Sequence, residues 1–495
     1  MCRRRRPRNP ARLNNFSLPV SMTAPLPTSP TQVDSSCRLP LFMLFGGAAV
    51  WLVLSCGFGL AASMTFHQPA LFADCAVGTY GRVYPAWSHL FVYGFAIPSG
   101  LGVGLWLLAR LGRVELAKPF LIAVGAKLWH LGVLVGLVAI LNGQTSGYEW
   151  FELPRYAAVL LFLAFVLMAI WAVVTYSQRR ETALYPSQWF VLAALFWFPW
   201  IFSTAVLLLQ FFPVRGVVQA AVAWWFAGNL LNVWLPLAGL AVTFYLLPKL
   251  TARSLQSHYL ALFVFWTVLI FGSWTGIPLH APLPAWMITL SSVATALMIV
   301  PALAIGAIVF LTTRGAPVTG GGGPLCYSKF GAAALVLATV IAALAACPAV
   351  ARVTDFTWFT HGVTALRLYG FFAMTMFAAI YHILPQISGV TVSPQRIKLH
   401  FWLAMPGALL LALPLLGGGL AQGLKMMHAE VPFLDATKAA VMGFRLSTVG
   451  ELLIAFGSLV LLVNIALVVA SYYRVVAKTA YAAATMIPKA AEVKS

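Results

Sequence analysis

Residues 217–247 read VVQAAVAWWFAGNLLNVWLPLAGLAVTFYLL, without a single Asp, Glu, Lys or Arg. About 20 predominantly apolar residues suffice for a helix to cross the hydrocarbon core of a bilayer. This run exceeds that length and offers no polar stripe to water. The rest of the chain has the same character. Of its 495 residues 61% are hydrophobic and 8% charged, against about half and about a quarter in a soluble domain. The mean hydropathy is +0.90. A soluble enzyme, a disordered chain and a disulfide scaffold are all excluded as whole-chain descriptions.

Twelve such stretches, bounded by charges, Pro or Gly, lie near 41–64, 86–111, 119–141, 156–176, 187–212, 217–247, 258–276, 285–312, 329–349, 360–386, 399–418 and 447–472. The expected fold is an all-α polytopic membrane protein with twelve transmembrane helices. Its expected parts are a disordered basic tail (1–40), a membrane domain (41–473) and a C-terminal tail (474–495). An even number of spans puts both termini on one side. Most of the 31 Lys and Arg residues fall on that side, and each of its loops carries at least two. The positive-inside rule then makes both termini cytoplasmic in a bacterial-type inner membrane. The net charge of +20 reads as a record of orientation, not of nucleic-acid binding.

Met1–Pro40 is rich in Arg, Pro and Ser. Two readings stay open: a disordered tail that touches anionic lipid, or a start of translation at Met22. No cleavable signal peptide is expected, since the first apolar run is long enough to span. Gly320–Gly323 is not followed by Lys-Ser/Thr, so it reads as a linker and not a phosphate loop. The six Cys form no C-x-x-C and no C-x-x-C-H, which argues against covalent haem and a Cys-based metal site. Cys75 and Cys347, both near the outer face, are a possible disulfide.

Twelve spans suit two classes, secondary transporters and respiratory oxidases. A transporter of two halves shows an internal repeat; none is evident, and the connection near Pro248–Ser257 is short. The 17 Trp and 34 Phe fit either interfacial belts or a wall around a flat cofactor.

Gly81–Gly94, GRVYPAWSHLFVYG, resembles the second helix of the catalytic subunit of haem–copper oxidases, especially the cbb3 type, with its Arg-Pro-x-His-x-Asn element. Trp224-Trp225-Phe226-Ala227-Gly228-Asn229 resembles that family's Trp-Trp-Tyr-Gly-His-Asn. Tyr245 to Lys249 is similar to its Tyr-Phe-Val-Pro-Lys, Trp274-Thr275-Gly276 to its Trp-Ala-Gly, and Leu283 to Trp286 to its Leu-Pro-Asp-Trp. Ala379 to Pro385 is similar to its Ala-Ile-Tyr-Tyr-Leu-Val-Pro. The resemblance runs from about Leu41 to Tyr473. It implies twelve helices in three arcs, a low-spin haem on two His, and a high-spin haem beside a copper on three His. It also implies cytochrome c oxidase activity, with a Tyr assisting oxygen cleavage.

Carried over residue by residue, the resemblance puts the low-spin haem ligand of the second helix on Trp87. The first copper ligand falls on Gly228, and the adjacent pair on Pro278 and Leu279, with His280 the lone His nearby. The Tyr falls on Gly272. The His-x-His of the tenth helix falls on Val363 and Ala365. None of these positions holds the family residue. Copper needs imidazole or thiolate donors, so copper is expected to be absent, along with oxygen reduction. For haem b, His89 and His361 are the candidate ligands. His361 precedes Ala365 by four residues and shares its face. His89 follows Trp87 by two, a rotation of about 200°, which favours reading both as polar residues near the outer interface. Trp87 is flat and bulky enough to fill the space of a haem.

Ionisable residues inside the bilayer are costly. Lys127 and His130, three apart on the third span, read either as part of a proton path or as a hydrogen-bonded structural pair. Arg367 on the tenth span needs an anion: Glu451 or a haem propionate. His67, Glu149, Glu152, Asp355, His428, Glu430 and Asp435 fall in outer loops and read as solvated surface.

The expected function is thus that of a respiratory-chain paralogue of oxidase subunit I without the haem–copper centre. It would act as a structural or electron-relay partner of other oxidase subunits. The alternatives are a haem b oxidoreductase subunit on displaced ligands, and a secondary transporter.

Overall fold

In a computed structural model, residues 30–72, 74–316 and 323–491 are described. Among the described residues, eleven helices are long and apolar enough to cross a membrane: α1 (Thr31–Thr65), α2 (Tyr80–Gly112), α3 (Pro119–Leu141), α4 (Arg155–Ser177), α5 (Pro186–Phe211), α6 (Val217–Thr251), α8 (Ala285–Thr313), α9 (Gly323–Ala345), α10 (Trp358–Ser388), α11 (Pro394–Met426) and α12 (Val441–Ala483). The shorter apolar helix His258–Gly272, α7, completes twelve. Each matches one expected stretch. The first begins at Thr31, well ahead of the expected boundary at Leu41, and Asp34 is held there. Its carboxylate accepts from Trp106 Nε1 at 2.9 Å and from Arg110 at 2.8 Å. Residues 1–29 lie outside the described residues, as does most of the Gly-rich linker. At the other end of the chain, helix continues through the expected tail to Ala491.

Three helices form the centre. The most apolar windows of α2, α6 and α10 are 94%, 100% and 89% buried, whereas the other long spans are half buried or less. A helix that is apolar all round belongs inside other helices, and α6 contains the stretch 217–247. Each central helix carries a π-helical segment: Leu90–Ala96, Leu230–Trp234 and Leu366–Ala373. In α2 and α6 a proline follows at once, Pro98 and Pro236. Proline has no N–H and crowds the carbonyl four residues back, and a wide turn absorbs that defect. The three segments meet through aromatic rings, with Phe91 4.8 Å from Tyr369 and Trp234 6.1 Å from Phe372.

Candidate functional site

A cavity of about 680 Å³ opens between the central helices towards the end of the bundle away from the start of α1. Every expected metal-ligand position lines it: Trp87 from α2, Gly228 from α6, Pro278 and Leu279 from the connection after α7, Val363 and Ala365 from α10. The tertiary structure therefore brings together residues spread over most of the chain, as the resemblance requires. The side chains there do different work.

Trp87 forms a wall. Its Nε1 donates to the Tyr369 hydroxyl at 2.9 Å, and its ring meets Trp150 edge-on at 5.8 Å. Gly228 sits where backbone passes. A Cβ added there would lie 2.2 Å from the Thr275 carbonyl oxygen and 3.1 Å from the Gly276 Cα. Gly276 has φ +107° and would itself strike Gly228, so both glycines are required by this close approach. Peptide backbone thus passes closely by the position that the resemblance gives to the first copper ligand. Gly272, at the Tyr position, packs against the Asn232 carbonyl. His280 is not part of the cavity wall: its Nδ1 pairs with Asp355 at 2.9 Å in the loops. Among the described residues no three His, Cys, Asp or Glu side chains converge as a metal site. A copper on three imidazoles does not fit these residues.

The two candidate haem ligands are on different sides of α2. His361 lines the cavity, its ring tilted against Trp358 at 4.5 Å, and its Nδ1 has no hydrogen-bond partner. His89 is fully buried against α3, where its Nε2 lies 3.0 Å from the Val133 carbonyl and its ring abuts Gly136. The two candidate ligands are therefore not brought together. The cause is the rotation of two residues along α2. A bis-imidazole haem does not fit.

Lys127 and His130 also separate. His130 accepts from Trp51 Nε1 at 3.1 Å and its Nε2 reaches the Met43 carbonyl, tying α3 to α1. Lys127 is exposed on the outer surface of α3. Arg367 lines the cavity, as does Glu451. No ion pair joins them among the described residues, and the Glu451 Oε2 has no hydrogen-bond partner. Cys75 and Cys347 are both free thiols.

Sequence reasoning missed two acidic residues of the loop 142–154. Glu149 lines the cavity and is held by the Tyr84 hydroxyl. Glu152 is buried, with Oε1 accepting from Ser88 Oγ at 2.7 Å and from the Trp150 N–H at 3.0 Å, and Oε2 unpartnered. Burial pushes its carboxyl up to about 8. Asp355, also expected at the surface, lines the cavity and holds His280. Acidic residues a few positions from a span, flanked by aromatic residues as in Tyr148-Glu149-Trp150-Phe151-Glu152, were the available signal.

A twelve-helix bundle whose central helices converge on a cavity at the family's ligand positions is the architecture of haem–copper oxidase subunit I. The chain belongs to the family of cytochrome c and quinol oxidase polypeptide I, whose profile matches residues 40–453. It is 24% identical over 441 residues to the cbb3-type cytochrome c oxidase subunit CcoN1 of Stutzerimonas stutzeri, covering 84% of this chain and 91% of that one. It is 23% identical to a cytochrome c oxidase subunit 1 homolog of Azorhizobium caulinodans, over 86% of this chain and 80% of that one. Among solved structures, a haem–copper terminal oxidase dimer shares the fold with a TM-score of 0.70 at 14% identity, over 87% of this chain and 84% of that one. The chain is a divergent member of this family.

Proposed function

We propose that this chain is a respiratory-chain membrane subunit that has kept the oxidase scaffold and does not itself reduce oxygen, serving as a structural or electron-relay partner of other oxidase subunits. The observation that carries this reading is the cavity wall: the family's ligand positions converge there as Trp87, Gly228, Pro278, Leu279, Val363 and Ala365. None of these side chains is a good donor to copper, and backbone at Thr275–Gly276 passes closely by the position given to one ligand. Metal analysis of the purified protein tests the reading. Copper far below one ion per chain is expected, and one copper per chain overturns it. An optical spectrum is the companion measurement. A haem band lost on His361→Ala would assign a haem to His361 alone, on the cavity side. The transporter alternative has no support from the family match, and co-purification of other oxidase subunits separates it from the present reading. The inner membrane of a bacterium, with both termini cytoplasmic, is the setting that the loop charges favour.

A further inference from the structure

Several polar groups of the cavity wall pair with protein, although the His361 Nδ1 and one Glu451 oxygen have no partner. Glu149 is held by Tyr84, Asp355 by His280, Glu451 by Ser63, and the Gln422 carbonyl by the Trp358 N–H. Arg367 makes no hydrogen bond and no ion pair with any described residue, although it lines the same cavity. It is nine residues into α10 from Trp358, or about 14 Å at 1.5 Å per residue. That is within the membrane-spanning helix α10, which runs on to Ser388. A guanidinium there costs several kcal/mol unless it meets an anion. The same wall carries many apolar side chains, Leu231, Leu240, Val268, Ile305, Leu335 and Leu415 among them. The volume of about 680 Å³ falls within the range of small-ligand sites.

We propose that this cavity binds a single-chain amphiphile with an anionic head group, its carboxylate or phosphate on Arg367 and its apolar chain among the leucines of α6, α9 and α11. A guanidinium suits this partner, since it offers two parallel donors to a carboxylate or phosphate oxygen pair. The proposal rests on the reading that no copper–haem pair fills the cavity, and the two fail by different measurements. Metal content addresses the first, and binding of a probe the second.

The test uses the full-length protein in neutral detergent with cis-parinaric acid as fluorescent probe. Saturable binding is expected, with displacement by palmitate or by lysophosphatidate; whichever acts at lower concentration identifies the head group. Methyl palmitate, which keeps the chain and lacks the charge, should displace at least tenfold more weakly. Arg367→Gln should weaken binding by roughly tenfold or more, the scale of one charge-assisted contact, while Arg367→Lys stays within a few-fold. Because Arg367 has no partner among the described residues, Arg367→Gln should leave the melting temperature of the ligand-free protein unchanged or raised. Four results would overturn the proposal: no saturable binding, equal displacement by methyl palmitate, equal displacement by inorganic phosphate, or unchanged binding by Arg367→Gln. A lowered melting temperature for Arg367→Gln, matched by Glu451→Gln, would make the two residues a structural pair and overturn it as well.

Discussion

Glu152 shows how a single residue in a short loop can set the pH response of a membrane protein. Its carboxyl is buried, and Oε2 has no partner. Burial raises it from an ordinary value of 4.5 to about 8. Between those values the folded protein keeps the proton that the unfolded chain releases. Stability therefore falls as pH rises through this window, because the folded state binds more protons there. Below 4.5 both states are protonated and the contribution is flat. Glu152→Gln keeps an oxygen for Ser88 and the Trp150 N–H but cannot ionise. We expect its melting temperature to vary less between pH 5 and 8 than that of the parent, and to exceed it at the upper end; parallel slopes would show that Glu152 does not carry the effect. Gly228 makes a different point at the same scale. Its identity is dictated by the Thr275 carbonyl, which an added Cβ would strike, so a larger residue at this position would require the loop to move.

At the scale of helices, the packing of α2 on α3 gives His89 a structural contact. A Cβ on Gly136 would lie 2.6 Å from His89 Cε1. Small residues at such a crossing let two membrane helices approach closely. Gly136→Ala should cost about 1–3 kcal/mol, the scale of overpacking. Adding His89→Ala should recover part of that loss, since neighbours in contact are coupled. Thermal unfolding of the two single variants and the double variant measures the coupling; strictly additive effects would refute the contact. The helical period explains why the sequence left this undecided. Two residues along α2 turn His89 away from the face of Trp87, but which face meets the cavity depends on how α2 is rotated in the bundle. The same holds for Lys127 and His130, close in sequence and on neighbouring parts of one helix surface, yet directed to the outer surface and to α1.

The whole molecule is an oxidase scaffold built around three central helices, with an amphiphilic cavity at the place of the family's chemistry. Its orientation is a further expectation at this scale. Reporter fusions at the two ends of the chain should both give a cytoplasmic signal, and a periplasmic signal from either would reverse the assignment of sides. The number and place of the helices were legible because hydrocarbon admits few solutions: each span must be long, apolar and internally hydrogen-bonded. The opening stretch 217–247 shows this most plainly, and all twelve stretches reappear as helices. The residues standing at the family's ligand positions were read from the resemblance alone, since an alignment needs only residue identity. Their gathering into one cavity was implied by the resemblance and depends on helix packing. Three matters belonged to the tertiary structure alone: the side of α2 to which His89 turns, the passage of Thr275–Gly276 against Gly228, and the lack of a partner for Arg367 among the described residues. Hydropathy reports how far each residue lies from water along the chain. It carries no information on rotation about the helix axis or on which neighbour fills a gap, and those two quantities decide what the cavity can hold.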